Sequence, residues 1–277
     1  MSRPLIHALV VDPWRMIAGL WSKRELIGQF THRNIELRHR GSRLGAFWSL
    51  LNPLSMLALY FLVFGIFFDQ KFGELKDETR YDFSLAMFLG LALFHAFAEM
   101  LSWAPGVITA NPNFVKKVVF PLEVLPVAHM GATAFHLAVS LALVLLGSVF
   151  GTGGLSAHVV WLPVLIVPLL ALSLGVAWIL AALGVFLRDI GQVMAFVSTA
   201  LLFATAVTFS PSRIPASMHV LHYSPLFQIV DLARRTVLWQ QPMALERLAY
   251  VYACGAVVLF VGAVFFALLR KSFAEVI

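Results

Sequence analysis

The sequence predicts an all-α integral membrane protein with six transmembrane helices. Of its 277 residues, 60% are hydrophobic and only 12% are charged, whereas about a quarter of the residues in a soluble domain are charged. The apolar residues also fall in blocks of roughly 20, the length that a helix needs to cross a bilayer. A soluble protein with a large core would not need such blocks, so residues 1–277 are interpreted as one transmembrane domain.

The predicted spans follow an N-terminal region, residues 1–43. Their approximate bounds are 44–68, 83–103, 127–150, 159–187, 192–209 and 249–269. The fourth span contains Pro163 and Pro168, which predict a tilt or a kink. The fifth span is short, and its outer boundary is therefore left open.

Lysine and arginine are distributed unequally between the two sides of this topology. Thirteen lie on the side of the N-terminus and seven lie on the other side. Because these residues are enriched in short cytoplasmic loops, both termini are predicted to be cytoplasmic. The stretch NPNFVKKVVFPLEVLP, residues 111–126 between the second and third spans, is then a cytoplasmic loop as well.

Two regions outside the spans have helical periodicity. Residues 13–40 place apolar and charged side chains on different faces, which predicts a basic amphipathic helix in the cytoplasmic interface. The outer connection, residues 210–246, contains YSPLFQIVDLARRTVLW with apolar residues at helical spacing. It is too polar to span, but a re-entrant segment is possible if it packs on protein. The last span and the cytoplasmic tail then form residues 247–277.

Motifs for an active site of the chain's own are missing from the sequence. No phosphate-binding loop of the form G-x-x-x-x-G-K-[ST] occurs, and no metalloprotease or serine hydrolase motif is found. A single cysteine, Cys254, rules out an internal disulfide. We therefore predict no catalytic residue, no metal site and no bound cofactor. The net charge of +6 is attributed to loops that face lipid head groups, not to nucleic acid binding.

Ionisable side chains inside the predicted spans are few. Glu99 is the one carboxylate well within a span, and such residues are functional candidates by default. Because Glu99 lies near the cytoplasmic end, an ion-paired or snorkelling role is favoured over proton transport. His129 and His136 are interpreted as hydrogen-bonding groups in helix packing, with a proton relay as the alternative.

A basic run precedes the first span and consists of Arg33, Arg38, Arg40 and Arg43. The preference for positive charge on the cytoplasmic side would explain these arginines without any further role. The alternative is an electropositive mouth that attracts an anionic head group, such as that of a pyrophosphate-linked lipid.

Aromatic side chains and a threonine recur on the first and fifth spans: Trp48, Tyr60, Phe64, Phe67, Phe196, Thr199 and Phe203. Contact with lipid and with neighbouring helices, with Trp48 as an interface anchor, is the simpler interpretation. The alternative is a conduit in which aromatic faces stack on sugar rings and hydroxyl groups supply hydrogen bonds.

Four segments carry a family resemblance. The first segment contains the pair Leu44–Gly45 and then Trp48, Asn52 and Pro53, within RNIELRHRGSRLGAFWSLLNPLSMLALYFLVFGIFF. The other three are ITANPNFVKKVVFPLEVLP, LRDIGQVM and YSPLFQIVDLARRTVL. In this order, they resemble the ABC-2 type permeases, most closely those that export lipid-linked polysaccharide such as O-antigen. The outer gate departs from the family pattern, with Ser-Pro where Asn-Pro is more usual and TFSPSRIP for a proline-rich run. These departures bear on the identity of the cargo.

The resemblance implies a homodimer in the bacterial inner membrane that works with two separate ATP-binding subunits, which would bind ATP and Mg²⁺. The complex would move an undecaprenyl-pyrophosphate-linked polysaccharide of the O-antigen type from the cytoplasm to the periplasm. A permease for capsule, teichoic acid or another lipid-linked glycan or amphiphile is the alternative.

The resemblance also assigns roles to residues. The amphipathic helix, about residues 22–37, and the loop 111–126 would contact the ATPase, although a plain connector is the alternative for the loop. The candidate coupling residues are Glu25, Phe30, Asn111, Phe114, Lys116, Lys117, Phe120, Pro121 and Glu123. The first and fifth spans would line the channel. The re-entrant segment would form a periplasmic gate with Pro225, Phe227, Asp231 and Arg234.

Two other classes of membrane protein agree less well with the sequence. A membrane glycosyltransferase or acyltransferase predicts clustered acids or a His–acid pair, and neither is visible. An ion-coupled secondary transporter predicts more charge inside the spans and internal repeats, which are not detected.

Overall fold

The computed structural model describes residues 12–38, 40–68, 71–116, 120–151, 154, 157–205, 207–211 and 214–277. Within these ranges all regular elements are helical, and no strand is present. The predicted all-α class is therefore confirmed. The helices are α1 (Asp12–Ala18), α2 (Arg24–Arg38), α3 (Trp48–Tyr60), α4 (Arg80–Trp103), α5 (Pro112–Lys116), α6 (Val124–Ser148), α7 (Trp161–Phe186), α8 (Ile190–Ala204), α9 (Pro225–Ala233), α10 (Leu245–Leu269) and α11 (Phe273–Val276).

Shorter turns extend several of these helices. α3 continues as a π-helix over Phe61–Phe67, and α9 continues as a π-helix over Arg234–Leu238. The 3₁₀ turns are Trp21–Lys23, Gly45–Phe47, Ala104–Gly106, Ala157–Val160, Ala216–Tyr223 and Arg270–Ser272.

Among the described residues, five helices are long and apolar enough to cross a membrane. With their flanking turns they cover Trp48–Phe67, Arg80–Gly106, Val124–Ser148, Ala157–Phe186 and Leu245–Val276. These helices correspond to the first four predicted spans and the sixth. The fifth predicted span corresponds to α8, which is apolar but has only 15 residues. At 1.5 Å per residue, α8 is about 22 Å long, which is shorter than a typical hydrocarbon core. A count of six spans stays a prediction.

The start of α4 shows how local chemistry sets a helix boundary. The hydroxyl of Thr79 accepts a hydrogen bond from the Asp82 backbone N–H, and the Asp82 carboxylate accepts one from the Thr79 N–H. This reciprocal pair caps the helix, so that it begins three residues before the predicted start of the second span. Most side chains of α4 are buried, whereas very few of those along the first span are. α4 is thus the centre of the bundle.

α7 and α10 pack backbone to backbone. A Cβ atom on Gly262 would lie 2.2 Å from the carbonyl oxygen of Gly175, and one on Gly175 would lie 2.4 Å from that of Val258. Small residues at such a contact let two membrane helices approach closely and gain van der Waals contact. The two helices therefore form a tightly packed pair.

α2 runs alongside the first part of α6. Near its beginning, Lys23 contacts Glu123, and in its middle Thr31 Oγ1 donates to the Ala128 carbonyl at 3.2 Å. At its end, Arg38 pairs with Glu99, which also accepts a hydrogen bond from Thr133 of α6. These contacts advance along both helices together, so α2 and α6 run in the same direction. The location of α2 in the plane of the membrane interface stays a prediction.

The segment Pro225–Leu238, predicted to be re-entrant, is packed inside the protein. α9 and its π-helical continuation contact α4 and α7, and α9 also contacts α10. Packing on protein is the condition under which a polar segment can lie at membrane depth. Its depth in a membrane stays a prediction.

Candidate transport pathway and coupling surface

Three phenylalanine rings join α2 to the loop between the second and third predicted spans. The ring centroids of Phe30 and Phe114 lie 5.7 Å apart, those of Phe30 and Phe120 also lie 5.7 Å apart, and those of Phe114 and Phe120 lie 4.3 Å apart. The guanidinium of Arg33 lies 4.2 Å from the Phe30 ring centroid. We call Phe30, Phe114 and Phe120 the aromatic cluster. It brings together three of the candidate coupling residues, and all three rings are only partly buried.

The other candidate coupling residues differ in their burial and contacts. Asn111 Nδ2 donates to the Val107 carbonyl at 2.8 Å, which stabilises the turn before α5. Pro121 is half-buried, while Glu25 and Lys116 are exposed. Lys117 lies outside the described residues. A role of these side chains in contacting an ATPase stays a prediction.

Glu123 is buried and contacts two cations of its own chain. Lys23 Nζ lies 2.5 Å from Oε1, and Arg270 Nη1 lies 3.3 Å from Oε2. Sequence reasoning placed Glu123 in the loop correctly, but no sequence signal indicated that residues about 100 and 147 positions away would meet it.

The predicted basic run does not form one cluster. Arg33 stacks on the aromatic cluster, and Arg38 forms an ion pair with Glu99. Arg40 and Arg43 are exposed, which is compatible with either the topological or the head-group interpretation.

Glu99 lies in a polar group near the C-terminal end of α4. Besides Arg38, Thr133 Oγ1 donates to Glu99 Oε1 at 2.9 Å, and His129 Nε2 lies 3.2 Å from the same oxygen. The Trp103 ring stacks on the His129 ring with centroids 3.7 Å apart. The predicted ion-paired role of Glu99 is confirmed. His129 lies beside Glu99 and Trp103, and the interpretation of His129 and His136 as hydrogen-bonding groups in helix packing stays a prediction.

A cavity of about 330 Å³ lies between α3, α4 and α6. Its polar lining includes Glu99, Arg38 and His95, and its apolar wall includes Phe88 and Tyr60. The lining extends from Arg38 at the end of α2 to Tyr60 at the end of α3 and Phe88 in the first half of α4. Sequence reasoning missed this cavity, although the spacing of His95 and Glu99 places both on one face of α4.

The Arg38–Glu99 pair leads to a prediction about stability. Replacing Arg38 with methionine should cost about 1–2 kcal/mol, because a largely buried carboxylate then loses its strongest partner. Glu99→Gln should cost less, because the side chain of Arg38 is more exposed than that of Glu99 and can turn to solvent. The double variant should regain part of the loss of R38M. Thermal unfolding of the purified protein measures all three.

The exposed Arg40 offers a matched control for this pair. Arg40→Met removes the same charge two residues further along and should leave the Tm unchanged. An equal loss of Tm in R38M and R40M would contradict a specific role for the ion pair.

The predicted channel residues lie on two helices with little burial. Phe67, Phe196, Thr199 and Phe203 are exposed, while Tyr60, Phe64 and Trp48 are half-buried. Phe196 is 76% exposed. Both helices pack on α4, while α3 also packs on α6 and α8 also packs on α7. Trp48 and Tyr60 also line the cavity described above.

The predicted gate residues are held in a buried network. Pro225 begins α9, and Phe227 is fully buried. Asp231 Oδ2 accepts hydrogen bonds from Arg235 Nε at 2.9 Å and from Arg247 Nη2 at 2.6 Å. These contacts fix α9 to the start of α10.

Arg234 is buried with an exposure of 1%. Its Nε donates to the Ala86 carbonyl at 2.9 Å, another nitrogen donates to the Val207 carbonyl, and its guanidinium lies 4.6 Å from the Phe72 ring centroid. Gly90 leaves the space for this side chain, since a Cβ there would lie 2.2 Å from Arg234 Nη2. Burial lowers the pKa of Arg234 to about 9, and the Asp231 carboxylate opposes that change. The guanidinium therefore stays largely protonated at neutral pH.

The sequence pattern of the ABC-2 type transporter family matches residues 25–238. The chain belongs to the ABC-2 type transporter family. The match extends from α2 to the end of the π-helix after α9, so the aromatic cluster, the cavity and the four predicted gate residues all lie within it. With its several long apolar helices, this ABC-2 transporter is a multi-pass membrane protein.

Relatives of this ABC-2 transporter match it over nearly its whole length. It is 28% identical to the O-antigen export system permease protein RfbA of Myxococcus xanthus, over 94% of this chain and 98% of the relative. A protein of the same name from Klebsiella pneumoniae is 22% identical, over 91% of this chain and 95% of the relative. The polysialic acid transport protein KpsM of Escherichia coli is 27% identical, over 83% and 88%. The predicted ABC-2 permease family is confirmed.

Proposed function

We propose that this chain is the membrane-spanning subunit of an ATP-driven exporter of lipid-linked polysaccharide. The observation that carries the proposal is the similarity to the O-antigen export permease of Myxococcus xanthus, which extends over 94% of the chain. Because the chain contains no phosphate-binding loop, ATP and Mg²⁺ would bind to separate subunits, two for each permease dimer.

The cargo that we propose is an undecaprenyl-pyrophosphate-linked polysaccharide of the O-antigen type, moved from the cytoplasm to the periplasm across the bacterial inner membrane. The exposed Arg40 and Arg43 support a cytoplasmic access site, since guanidinium groups bind phosphate oxygens well. A capsule polymer is the second candidate, favoured by the similarity to the polysialic acid transport protein.

A second copy of the chain would complete the channel. The π-helical continuation of α3 carries the exposed Phe67, and α8 carries the exposed Phe196 and Phe203; α3 and α8 both pack on α4. In a homodimer, these faces would line a conduit in which rings stack on sugars. The aromatic cluster, with the exposed Lys116 nearby, would contact the ATP-binding subunit on the cytoplasmic side.

Reconstitution into vesicles tests this function. The chain alone should hydrolyse no ATP, whereas the chain together with its ATP-binding subunit should hydrolyse ATP and move undecaprenyl-pyrophosphate-linked O-polysaccharide across the membrane. Movement of a polysialic acid polymer in its place would favour the capsule alternative. ATP hydrolysis by the pure chain, or a complex that moves neither polymer, would refute the proposal.

A further inference from the structure

Glu123 lies where three distant parts of the chain meet. Lys23, in the turn before α2, contacts Oε1 at 2.5 Å, and Arg270, in the turn after α10, contacts Oε2 at 3.3 Å. Glu123 itself precedes α6, and only 2% of it is exposed. Both carboxylate oxygens are thus occupied by cations from elements that are far apart in sequence. We call Lys23, Glu123 and Arg270 the carboxylate clamp.

The backbone of Glu123 adds a fourth element to this junction. The indole Nε1 of Trp178 donates to the Glu123 carbonyl oxygen at 3.4 Å, and Trp178 is fully buried in α7. α7 is in turn packed against α10 through Gly175 and Gly262. The clamp therefore attaches the beginning of α6 to the tightly packed pair of α7 and α10.

The clamp also adjoins the aromatic cluster. Phe120 lies three residues before Glu123, and Phe30 lies on the helix that follows Lys23. The rings of the aromatic cluster also pack against the hydrophobic cluster that contains Phe266 of α10, so packed side chains connect the aromatic cluster to the last span. A surface-exposed glutamate could orient a partner protein, but the Glu123 carboxylate is enclosed by its own chain and is not accessible to one.

A contribution to folding stability does not by itself explain why the carboxylate clamp is charged. A buried ion pair generally adds little to stability compared with apolar residues of similar volume, because both charges lose their hydration. A charged junction does, however, fix the relative position of the elements that it joins, and energetic coupling between sites is carried by such contiguous contacts.

We propose that Glu123 is a positioning residue that transmits movement from the ATPase-contact surface to the last span, α10. The proposal rests on the proposed function, in which the aromatic cluster contacts the ATP-binding subunit. Lys23 carries the movement of α2 to Glu123, and Arg270 passes it to α10. The clamp thereby links the nucleotide cycle to the membrane-spanning bundle.

The complex with the ATP-binding subunit in vesicles provides the test. We expect that Glu123→Gln still assembles with the ATP-binding subunit but exports about tenfold less O-polysaccharide per ATP hydrolysed, within the usual range for coupling between two sites. Lys23→Met and Arg270→Met should shift this ratio in the same direction. Because Lys23 acts through Glu123, the double variant K23M/E123Q should be no worse than E123Q.

Cys254 provides a second measurement that does not depend on the cargo. It is the single cysteine of the chain and lies within α10. In the wild-type complex, ATP should change the rate at which N-ethylmaleimide labels Cys254, measured on this chain by mass spectrometry. In E123Q, the labelling rate should no longer respond to ATP.

Lys271→Met is the matched control. Lys271 follows Arg270 directly, and its contact is with Asp12 at 3.7 Å, not with Glu123. This variant should keep the wild-type ratio of export to ATP hydrolysis and the ATP-dependent labelling. If E123Q does not fold, K23M and R270M carry the test, because each leaves one cation beside the carboxylate.

Several results would overturn the proposal. A proportional fall of export and ATP hydrolysis in E123Q, at an unchanged ratio, would show a merely structural role. ATP-dependent labelling of Cys254 that persists in E123Q, or that is missing in the wild type, would exclude transmission to α10. If the wild-type complex exports neither polymer but E123Q loses the labelling response, the proposed cargo fails while the clamp stands.

Discussion

Replacing Gly262 with valine is expected to cost more than about 3 kcal/mol and to prevent the protein from folding as a stable bundle. The first atom of the new side chain would lie 2.2 Å from the Gly175 carbonyl oxygen and 2.8 Å from its carbonyl carbon. Both are backbone atoms of a long helix, so neither can move without separating α7 from α10. Fluorescence-detected gel filtration and thermal unfolding in detergent measure the loss.

Gly28 provides the control for this substitution. It lies on the exposed side of α2, and a Cβ there would have no neighbour within 4 Å. Gly28→Ala should therefore leave the Tm unchanged or raise it slightly, since alanine favours a helix by about 1 kcal/mol over glycine. A folded, wild-type-like G262V protein would show that α7 and α10 are not in backbone contact.

Replacing Arg234 with alanine is the second change with a large expected effect, a loss of about 3 kcal/mol. The variant loses the hydrogen bonds to the Ala86 and Val207 carbonyls and leaves an empty space in a buried site. Because these bonds tie the segment Pro225–Leu238 to α4 and to the end of the fifth predicted span, all three should loosen together. Thermal unfolding measures the loss.

Gly90 makes this test specific. In the wild type, Gly90→Ala should also destabilise, because the added methyl group collides with the Arg234 guanidinium. In the R234A background, the same substitution should cost nothing further, since the group that it collides with is gone. Additive losses in the double variant would contradict the packing of Arg234 against Gly90.

The family and the succession of helices could be predicted from sequence because they depend on local properties. Runs of about 20 apolar residues form helices in a bilayer whatever they pack against. Four short segments, among them LRDIGQVM, were enough to predict the ABC-2 family. The aromatic cluster was also partly predictable, because Phe114 and Phe120 are near neighbours in the loop.

The fifth predicted span, α8, shows where the pattern of apolar residues was not enough to place the end of a helix. The apolar run to residue 209 predicted a longer helix, but α8 ends at Ala204. The Thr205 hydroxyl bonds back to the Leu201 carbonyl, and the Arg234 guanidinium takes the Val207 carbonyl just beyond. Arg234, 27 positions further along the chain, thus contacts the backbone just after the end of α8. The local pattern of apolar residues gives no indication of this contact.

The sequence by itself determined that this protein is an all-α membrane protein of the ABC-2 family, and it supplied the candidate residues for coupling and for the gate. Only the tertiary structure decided which of them meet. Helix rotation and close glycine packing enclose Glu123 between Lys23 and Arg270, and they place Arg38 on Glu99 and Arg234 against Gly90. The physical reason is that helix packing decides which charged side chains lie close enough to pair. For residues about 100 positions apart in sequence, no local pattern indicates that they will meet.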